Sequence, residues 1–233
     1  MGMKEFLIRV PALQGASENT VEALAAAATT RTVERGHYLW HTGDPPASLT
    51  AIRAGLIKIV KCGHSGKQTI CGLFGAPESL ADAPVLQGIA FPADAIVATS
   101  TAQLIDIPRD AVLAAVSSEP QLGLSLARSM QQKLDTLMAK IDVLSAGSVE
   151  ARLATLLTQL EEQYGDEFDD GSVNVMVALS RQELADLVST SFETAIRVMT
   201  KWEREGVVET LSKGFRIANR AALRAIAGQT LQQ

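Results

Sequence analysis

The segment from Leu179 to Arg216 constrains the fold more than any other part of the chain. Ser180 is followed three residues later by Glu183, a capping box that predicts the start of a helix. Ser191 can cap a second helix, and Gly206 is placed to end it. The apolar face of this second helix is predicted to comprise Ala195, Val198, Met199 and Trp202. Two short strands around a Ser-Lys-Gly turn then complete a predicted winged helix-turn-helix.

Three motifs in this segment, S-R-Q-E-L-A, S-x-E-T-x-x-R and the G-V-V-E wing, resemble the DNA-binding domain of the CRP/FNR family of bacterial transcription regulators. A second likeness upstream extends the resemblance to nearly the whole chain. It implies an α+β fold with an N-terminal cyclic-nucleotide-binding-like β-roll, a long dimerisation helix and a C-terminal winged helix-turn-helix. The predicted ranges are 1–118 for the β-roll sensor domain with its N-terminal helices, 119–146 for the dimerisation helix and 147–233 for the DNA-binding domain.

Base recognition is expected at the start of the second helix, which in this motif enters the major groove. The resemblance implies that Glu193 and Arg197, on one helical face, contact a G·C pair in each half-site. An ordinary exposed ion pair is the alternative. Phe192 stands where the best-known family member has Arg, so it either packs against a thymine methyl or staples the turn to the first helix. The resemblance also implies phosphate contacts for Ser180, Gln182, Ser191 and Thr194, and the cations Arg181 and Lys213 are expected to add to them.

The charge of this segment limits how it can bind DNA. Residues 172–219 contain six Lys or Arg and six Asp or Glu, so the module is not basic overall. Binding to DNA would depend on a local cationic face and on salt. The alternative is a ligand-binding regulatory module whose helix-turn-helix docks a protein partner.

Composition and motifs favour a regulator over an enzyme. The chain has 233 residues, a net charge of −5 and two cysteines, which do not make a disulfide framework. It has no P-loop, no G-x-S-x-G and no metal-ligand cluster, so an enzyme is not expected. No signal peptide and no apolar run of membrane-spanning length is found, which predicts a cytoplasmic protein without membrane contact.

The β-roll is predicted to sense an effector other than cyclic AMP in its usual mode. Gly36, Gly43 and Gly55 match the family's turns and are expected to serve backbone conformation. In cyclic-AMP-binding members a Glu takes the ribose and a following Arg meets the phosphate. Here Glu78 can stand for the Glu, but no Lys or Arg occurs between positions 67 and 109. The predicted effector pocket comprises Glu78, Ser79, Asp82, Met130 and Leu134.

The cysteine and histidine residues bear on two metal cofactors, an iron–sulfur cluster and haem. An iron–sulfur cluster needs four cysteine ligands and is not expected from Cys62 and Cys71 alone. Haem is a candidate, with His37 and His41 as axial ligands or, alternatively, as ordinary surface histidines. The F-P-A-D-A-I-V-A-T loop resembles the nitric-oxide-responsive, DNR/NnrR-like branch of the family, some members of which use haem. The candidate effector is therefore haem with nitric oxide or another small ligand. Cys71, in a strand, is predicted to be a buried structural cysteine.

A long helix is predicted from Pro120, with apolar residues in a 4-3 alternation that favours a two-stranded coiled coil. The dimer seam is predicted to comprise Ala127, Met130, Leu134, Leu137, Ile141 and Leu144. Packing of a lone helix on its own β-roll is the alternative. Leu122 and Leu126, off the seam, can provide this packing, so both arrangements can hold together. The resulting hypothesis is a homodimeric, effector-controlled regulator of a pseudo-palindromic DNA operator, with RNA polymerase as a further partner if it activates.

Overall fold

The structure, a computed structural model, describes residues 1–63, 68–177 and 179–228. It divides into two compact units, Met1–Leu137 and Met138–Gln233. The boundary falls inside one long helix. The sequence H-S-G-K from His64 predicts a hairpin turn, but these residues lie outside the described ones. The predicted three-domain division stays a prediction.

Two short helices and a 3-10 turn begin the first unit. They are α1 (Met3–Leu7), the 3-10 turn Pro11–Leu13 and α2 (Glu18–Ala27). The Ser17 hydroxyl caps α2 by accepting a hydrogen bond from the backbone N–H of Thr20. The apolar side chains of these elements share one core with strands and helices further along the chain.

Eight strands follow in the first unit. They are β1 (Thr29–Glu34), β2 (Tyr38–Trp40), β3 (Ser48–Ala54), β4 (Leu56–Cys62), β5 (Gln68–Gly75), β6 (Ser79–Leu80), β7 (Asp94–Val97) and β8 (Thr101–Pro108). They form two antiparallel sheets, in the orders β1-β8-β3-β6 and β2-β7-β4-β5. Side chains from both sheets, among them Ile52, Ile57 and Leu104, meet in a second buried cluster. This arrangement is the predicted β-roll.

Glycines set the turns of the β-roll, as the sequence predicts. Gly36, Gly43 and Gly55 all have positive φ. Gly55 is also needed for space, because a Cβ there would lie 2.6 Å from the backbone oxygen of Thr101. A side chain at this position would therefore force the connection between β3 and β4 away from the start of β8.

Cys71 is half-buried, so the prediction of a buried structural cysteine is wrong. In the β4–β5 pairing, Ile59 lies opposite Gly72 and Val60 lies opposite Ile70, which leaves Cys71 as the extra residue of a β-bulge. A bulged residue has no partner in the ladder, and the strand bends around it. Cys62, at the end of β4, is exposed.

Three helices complete the first unit and lead into the second. They are α3 (Asp82–Gln87), α4 (Arg109–Ser118) and α5 (Pro120–Ser145). Leu122 and Leu126 are fully buried in the same core as the N-terminal helices, so the predicted packing of α5 on its own unit is confirmed. The predicted seam residues Leu134, Leu137, Ile141 and Leu144 are 44%, 42%, 55% and 39% exposed. The predicted seam residue Met130 is partly buried against the same core. The helix thus has a buried face in its first part and exposed apolar side chains further along.

The second unit holds the predicted winged helix-turn-helix. Its elements after α5 are α6 (Val149–Tyr164), β9 (Gly165–Glu167), β10 (Val173–Val175), α7 (Arg181–Leu187), α8 (Phe192–Arg204), β11 (Val208–Leu211), β12 (Gly214–Ile217) and α9 (Arg220–Ile226). The strands form one antiparallel sheet in the order β11-β12-β10-β9. The segment after α6 begins with strand β9.

The core of this unit forms around α8. Ala195, Val198, Met199 and Trp202 are all buried, which confirms the predicted apolar face. The indole N–H of Trp202 donates to the carboxylate of Glu150 at 3.0 Å, so its one polar atom is satisfied. Among the described residues, no helix is both long enough and apolar enough to cross a bilayer.

Candidate functional site

The starts of α7 and α8 are fixed by side-chain caps. The Ser180 hydroxyl accepts from the backbone N–H of Glu183 at 3.1 Å, and the Glu183 carboxylate accepts from the backbone N–H of Ser180 at 2.9 Å. The Ser191 hydroxyl accepts from the backbone N–H of Thr194 at 3.2 Å. Two of the residues predicted to contact phosphate, Ser180 and Ser191, are therefore helix caps, where they also hold the local backbone.

Glu193 and Arg197 both lie on the exposed side of α8, one turn apart. Within the described part of the chain, no salt bridge or hydrogen bond engages the Arg197 guanidinium, so the ordinary ion pair with Glu193 is not formed. Hydrogen bonds from its own backbone N–H and from the Ser191 hydroxyl lower the pKa of the Glu193 carboxyl. A negatively charged acceptor and a free bidentate donor therefore share one face.

Two apolar side chains lie beside this pair. Phe192 is 41% exposed, so it is not fully buried against α7. Ile196, one turn later on the same face, is 36% exposed. Sequence reasoning missed Ile196, although its i+4 spacing from Phe192 was a usable signal. An exposed apolar pair of this kind can contact thymine methyl groups in the major groove.

Three of the six cations in residues 172–219 are engaged within the unit. Arg181 forms a salt bridge with Glu203 at 3.2 Å, and Lys201 forms one with Glu150 at 2.8 Å, while Arg216 pairs with Asp170. The Lys201 hydrogen bond lowers the pKa of the Glu150 carboxyl. Gln182, another predicted phosphate contact, donates to Asp186 at 2.9 Å.

The other three cations of this range are Arg197, Arg204 and Lys213. All three are exposed, and none has a hydrogen bond or salt bridge among the described residues. Arg197 and Arg204 line one groove together with Thr194 and Lys201. A local cationic face therefore exists on a module whose formal charges cancel.

A cavity of about 320 Å³ lies in the first unit, between the β-roll and the middle of α5. Of the predicted effector-pocket residues, Asp82, Met130 and Leu134 line it, whereas Glu78 and Ser79 do not. The Glu78 carboxylate instead accepts from the backbone N–H of Gly75 at 2.7 Å, and burial raises the pKa of this carboxyl.

Lys133, on α5, supplies a cation at this cavity that sequence reasoning missed. Its ammonium pairs with the Asp82 carboxylate, whose side chain is only 1% exposed. The same ammonium donates to the Ser129 hydroxyl at 2.8 Å and to the Ser79 hydroxyl at 3.3 Å. The Asp82 carboxylate also accepts from Ser79 at 2.7 Å and from Ser129 at 2.8 Å. A closed polar network thus joins the β-roll to α5 inside the first unit.

The candidate haem ligands lie on the surface of the first unit. His37 and His41 are both exposed, and the His41 ring stacks on Tyr38 with centroids 4.4 Å apart. Neither residue lines the cavity, and none of the cavity-lining residues is a His or Cys. In the part of the chain that the structure describes, no three His, Cys, Asp or Glu side chains come together as a metal site. The residues present do not fit a haem held by histidine in this cavity.

Comparison with known proteins identifies both domains. The family described as "Crp-like helix-turn-helix domain" matches residues 151–226, and the family described as "Cyclic nucleotide-binding domain" matches residues 30–119. The transcriptional activator protein anr of Pseudomonas aeruginosa is 26% identical over 202 residues, 87% of this chain and 82% of that protein. A CRP-like cAMP-activated global transcriptional regulator of Mycobacterium tuberculosis is 24% identical over 217 residues, 93% and 96% of the two chains.

Solved structures agree on the fold. FixK2 of Bradyrhizobium japonicum superposes with a TM-score of 0.73 at 15% identity, covering 85% of this chain and 96% of that one. The c-di-GMP responsive global regulator CLP of Xanthomonas campestris gives a TM-score of 0.70 at 20% identity, covering 87% and 100%.

The named relatives are transcription regulators and not enzymes, as the sequence predicts. The matches do not distinguish the nitric-oxide-responsive branch, so membership of that branch stays a prediction. The two domain families match in the expected order, and the alignments cover most of each relative's length. These findings lead to one assignment. The chain belongs to the CRP/FNR family of DNA-binding transcription regulators, with an effector-binding domain followed by a Crp-like helix-turn-helix domain.

Proposed function

We propose that this regulator acts as a homodimer on a pseudo-palindromic DNA operator, with Arg197 and Glu193 selecting a G·C pair in each half-site. The observation that carries the proposal is the Arg197 guanidinium, which is exposed and unengaged by the described residues. An Arg with all its donors available can bind guanine O6 and N7 together. Glu193, one turn away and ionised, can accept from the cytosine amino group of the same pair.

The homodimer is proposed to form along α5. The 4-3 spacing predicts a coiled-coil seam, and four of its apolar side chains are each more than a third exposed in the single chain. Pairing with a second copy would remove these side chains from water. Two helix-turn-helix modules would then meet half-sites about one DNA turn apart.

The effector is proposed to bind in the cavity between the β-roll and α5, where Asp82, Met130 and Leu134 lie. Cyclic AMP in its usual mode is not supported, because the one cation at the cavity, Lys133, is already paired with Asp82. A buried phosphate would have no free cationic partner there. The haem hypothesis rests only on the loop resemblance, and an absorption spectrum with added haem tests it.

Salt-dependent DNA binding tests the proposed function. With Arg197 assigned to a base, Arg204 and Lys213 are the unengaged described cations left for phosphate contacts, four in a dimer. The slope of log K against log salt should therefore be about −3.5 on B-DNA. Electrophoretic mobility shifts on an inverted-repeat library, at several salt concentrations, measure this slope. An absence of salt-sensitive binding, with or without candidate effectors, would contradict the proposal and favour a helix-turn-helix that docks a protein partner.

Phe192 and Ile196 are expected to contact thymine methyl groups next to the G·C pair. Replacing each thymine of the selected operator with deoxyuridine removes only the methyl group. Loss of one buried methyl costs about 0.8 kcal/mol, so binding should weaken about fourfold at each contacted thymine. Mobility shifts measure the loss at every position.

The matched variants are Phe192→Ala and Ile196→Ala. In each variant, one thymine position should become insensitive to the deoxyuridine replacement, while the guanine preference stays. If both variants keep the same deoxyuridine sensitivity as the unaltered protein, neither side chain contacts a methyl group.

A further inference from the structure

The walls of the β-roll cavity are almost entirely apolar. Trp40 and Phe91 form a stacked pair with ring centroids 4.2 Å apart, and Phe74 lies with them in the lining. Helix α5 contributes Met130, Leu134 and Leu137. Apart from Asp82 and Lys133, every lining side chain is aliphatic, aromatic or a thioether. The cavity therefore offers a ligand mainly dispersion contacts and removal from water.

The two charged residues of the lining leave no group for an ionic ligand. An ammonium has three N–H donors. The Lys133 ammonium already meets three acceptors, namely Asp82, Ser129 and Ser79. Both oxygens of the Asp82 carboxylate accept hydrogen bonds as well. The pair is neutral as a whole, so a carboxylate, phosphate or ammonium on a ligand would enter without compensation.

The indole N–H of Trp40 is engaged too. It donates to the backbone oxygen of Ala93 at 3.1 Å. This leaves the described lining side chains without an unused strong donor. The size of the cavity, about 320 Å³, is at the lower end of the range for ligand sites. An engineered apolar cavity of roughly 150 Å³ takes up benzene, so two or three rings suit this one.

We propose that the cavity binds an uncharged, largely hydrocarbon ligand of two or three rings or similar volume. The inference rests on the proposed function, because it names the ligand class of the proposed effector site. Leu134 and Leu137 belong both to the lining and to the predicted dimer seam, so such a ligand would contact the helix that pairs the two copies.

Two fluorescent probes that differ by one sulfonate group test the ligand class. N-Phenyl-1-naphthylamine is uncharged, and 1-anilinonaphthalene-8-sulfonate carries a sulfonate on the same ring system. In titrations of the full chain, the uncharged probe should bind saturably, with one site per chain, and at least about tenfold tighter than the sulfonate. Equal or tighter binding of the sulfonate, or no saturable binding of the uncharged probe, would overturn the proposal.

Two variants locate the probe. Ala83→Phe adds a ring to the lining and should weaken the uncharged probe by at least about tenfold, because the space is filled. Ala90→Phe, at an exposed position that is not part of the lining, should leave the affinity unchanged. If the two variants behave alike, the probe binds elsewhere and the proposal fails.

A third variant reverses the charge preference. Asp82→Asn leaves the Lys133 ammonium without its carboxylate, so the sulfonate probe should tighten by about tenfold or more. Unchanged sulfonate affinity in a folded Asp82→Asn protein would contradict the closed network. If this variant does not fold, Ala83→Phe and the two probes still decide. Mobility shifts on the same preparations distinguish failure of this proposal from failure of the proposed function. Intact DNA binding without binding of the uncharged probe rejects only the ligand class.

Discussion

Arg197→Ala is expected to remove the preference for one G·C pair per half-site while leaving weak non-specific binding. A bidentate contact to guanine contributes about 1–3 kcal/mol of discrimination, so specificity should fall roughly 5- to 150-fold for each half-site. The Arg197 guanidinium has no partner among the described residues, so its removal should leave the fold intact. Competition between operators that differ at this pair, measured by mobility shift, gives the change in discrimination.

Lys213→Ala is the matched control for this prediction. Lys213 is also exposed and unengaged by the described residues, but it lies in the wing turn between β11 and β12. Its loss should weaken binding about equally for all sequences and reduce the salt slope by about one unit per half-site. If Arg197→Ala shows this same uniform pattern, Arg197 contacts phosphate and the base assignment is wrong.

Ile141→Asp is expected to separate the dimer. Ile141 is 55% exposed in the single chain and lies in the predicted seam, where a second copy would bury it. The seam of the dimer would then contain two carboxylates in apolar surroundings, one from each chain, at a cost of several kcal/mol. The mass measured by sedimentation should fall to that of one chain. Affinity for an inverted repeat should drop about 100-fold or more, because the two half-sites no longer bind together.

Gln132→Asp adds the same charge to the same helix at an exposed position off the seam. It should change neither the mass nor the affinity for the inverted repeat. A dimer that persists in Ile141→Asp would show that the two copies meet through a surface other than this face of α5.

The helix-turn-helix could be predicted closely because its signals are local. A cap and the residue that it holds are three positions apart, so Ser180 with Glu183 and Ser191 with Thr194 are visible in the sequence. The apolar face of α8 repeats every three or four residues for the same reason. What could not be predicted was which cations are free, because Arg181 meets Glu203 and Lys201 meets Glu150 across 22 and 51 residues.

The cavity was predicted only in part for the same physical reason. The sequence predicts Asp82 at the cavity, but its short Gly-Ala-Pro-Glu motif also predicts Glu78 there as the acidic group that would meet a ribose. The strand β6 and the turn before it place Glu78 against Gly75 and direct Asp82 toward α5. Lys133 is 51 residues from Asp82, and no local pattern links them. The order of the strands in the two sheets is likewise a property of long-range pairing.

The Asp82–Lys133 pair also determines how α5 can move against the β-roll. Successive residues of an α-helix are about 100° apart around its axis, so a turn of one residue would carry Lys133 away from Asp82. The carboxylate would then be buried without its cation, which costs about 3–5 kcal/mol. Intermediate angular settings are therefore sparsely populated, and the helix is expected to change orientation in a discrete jump. If the proposed effector binds in the cavity, the resulting change in α5 should accordingly be close to all-or-none for each chain.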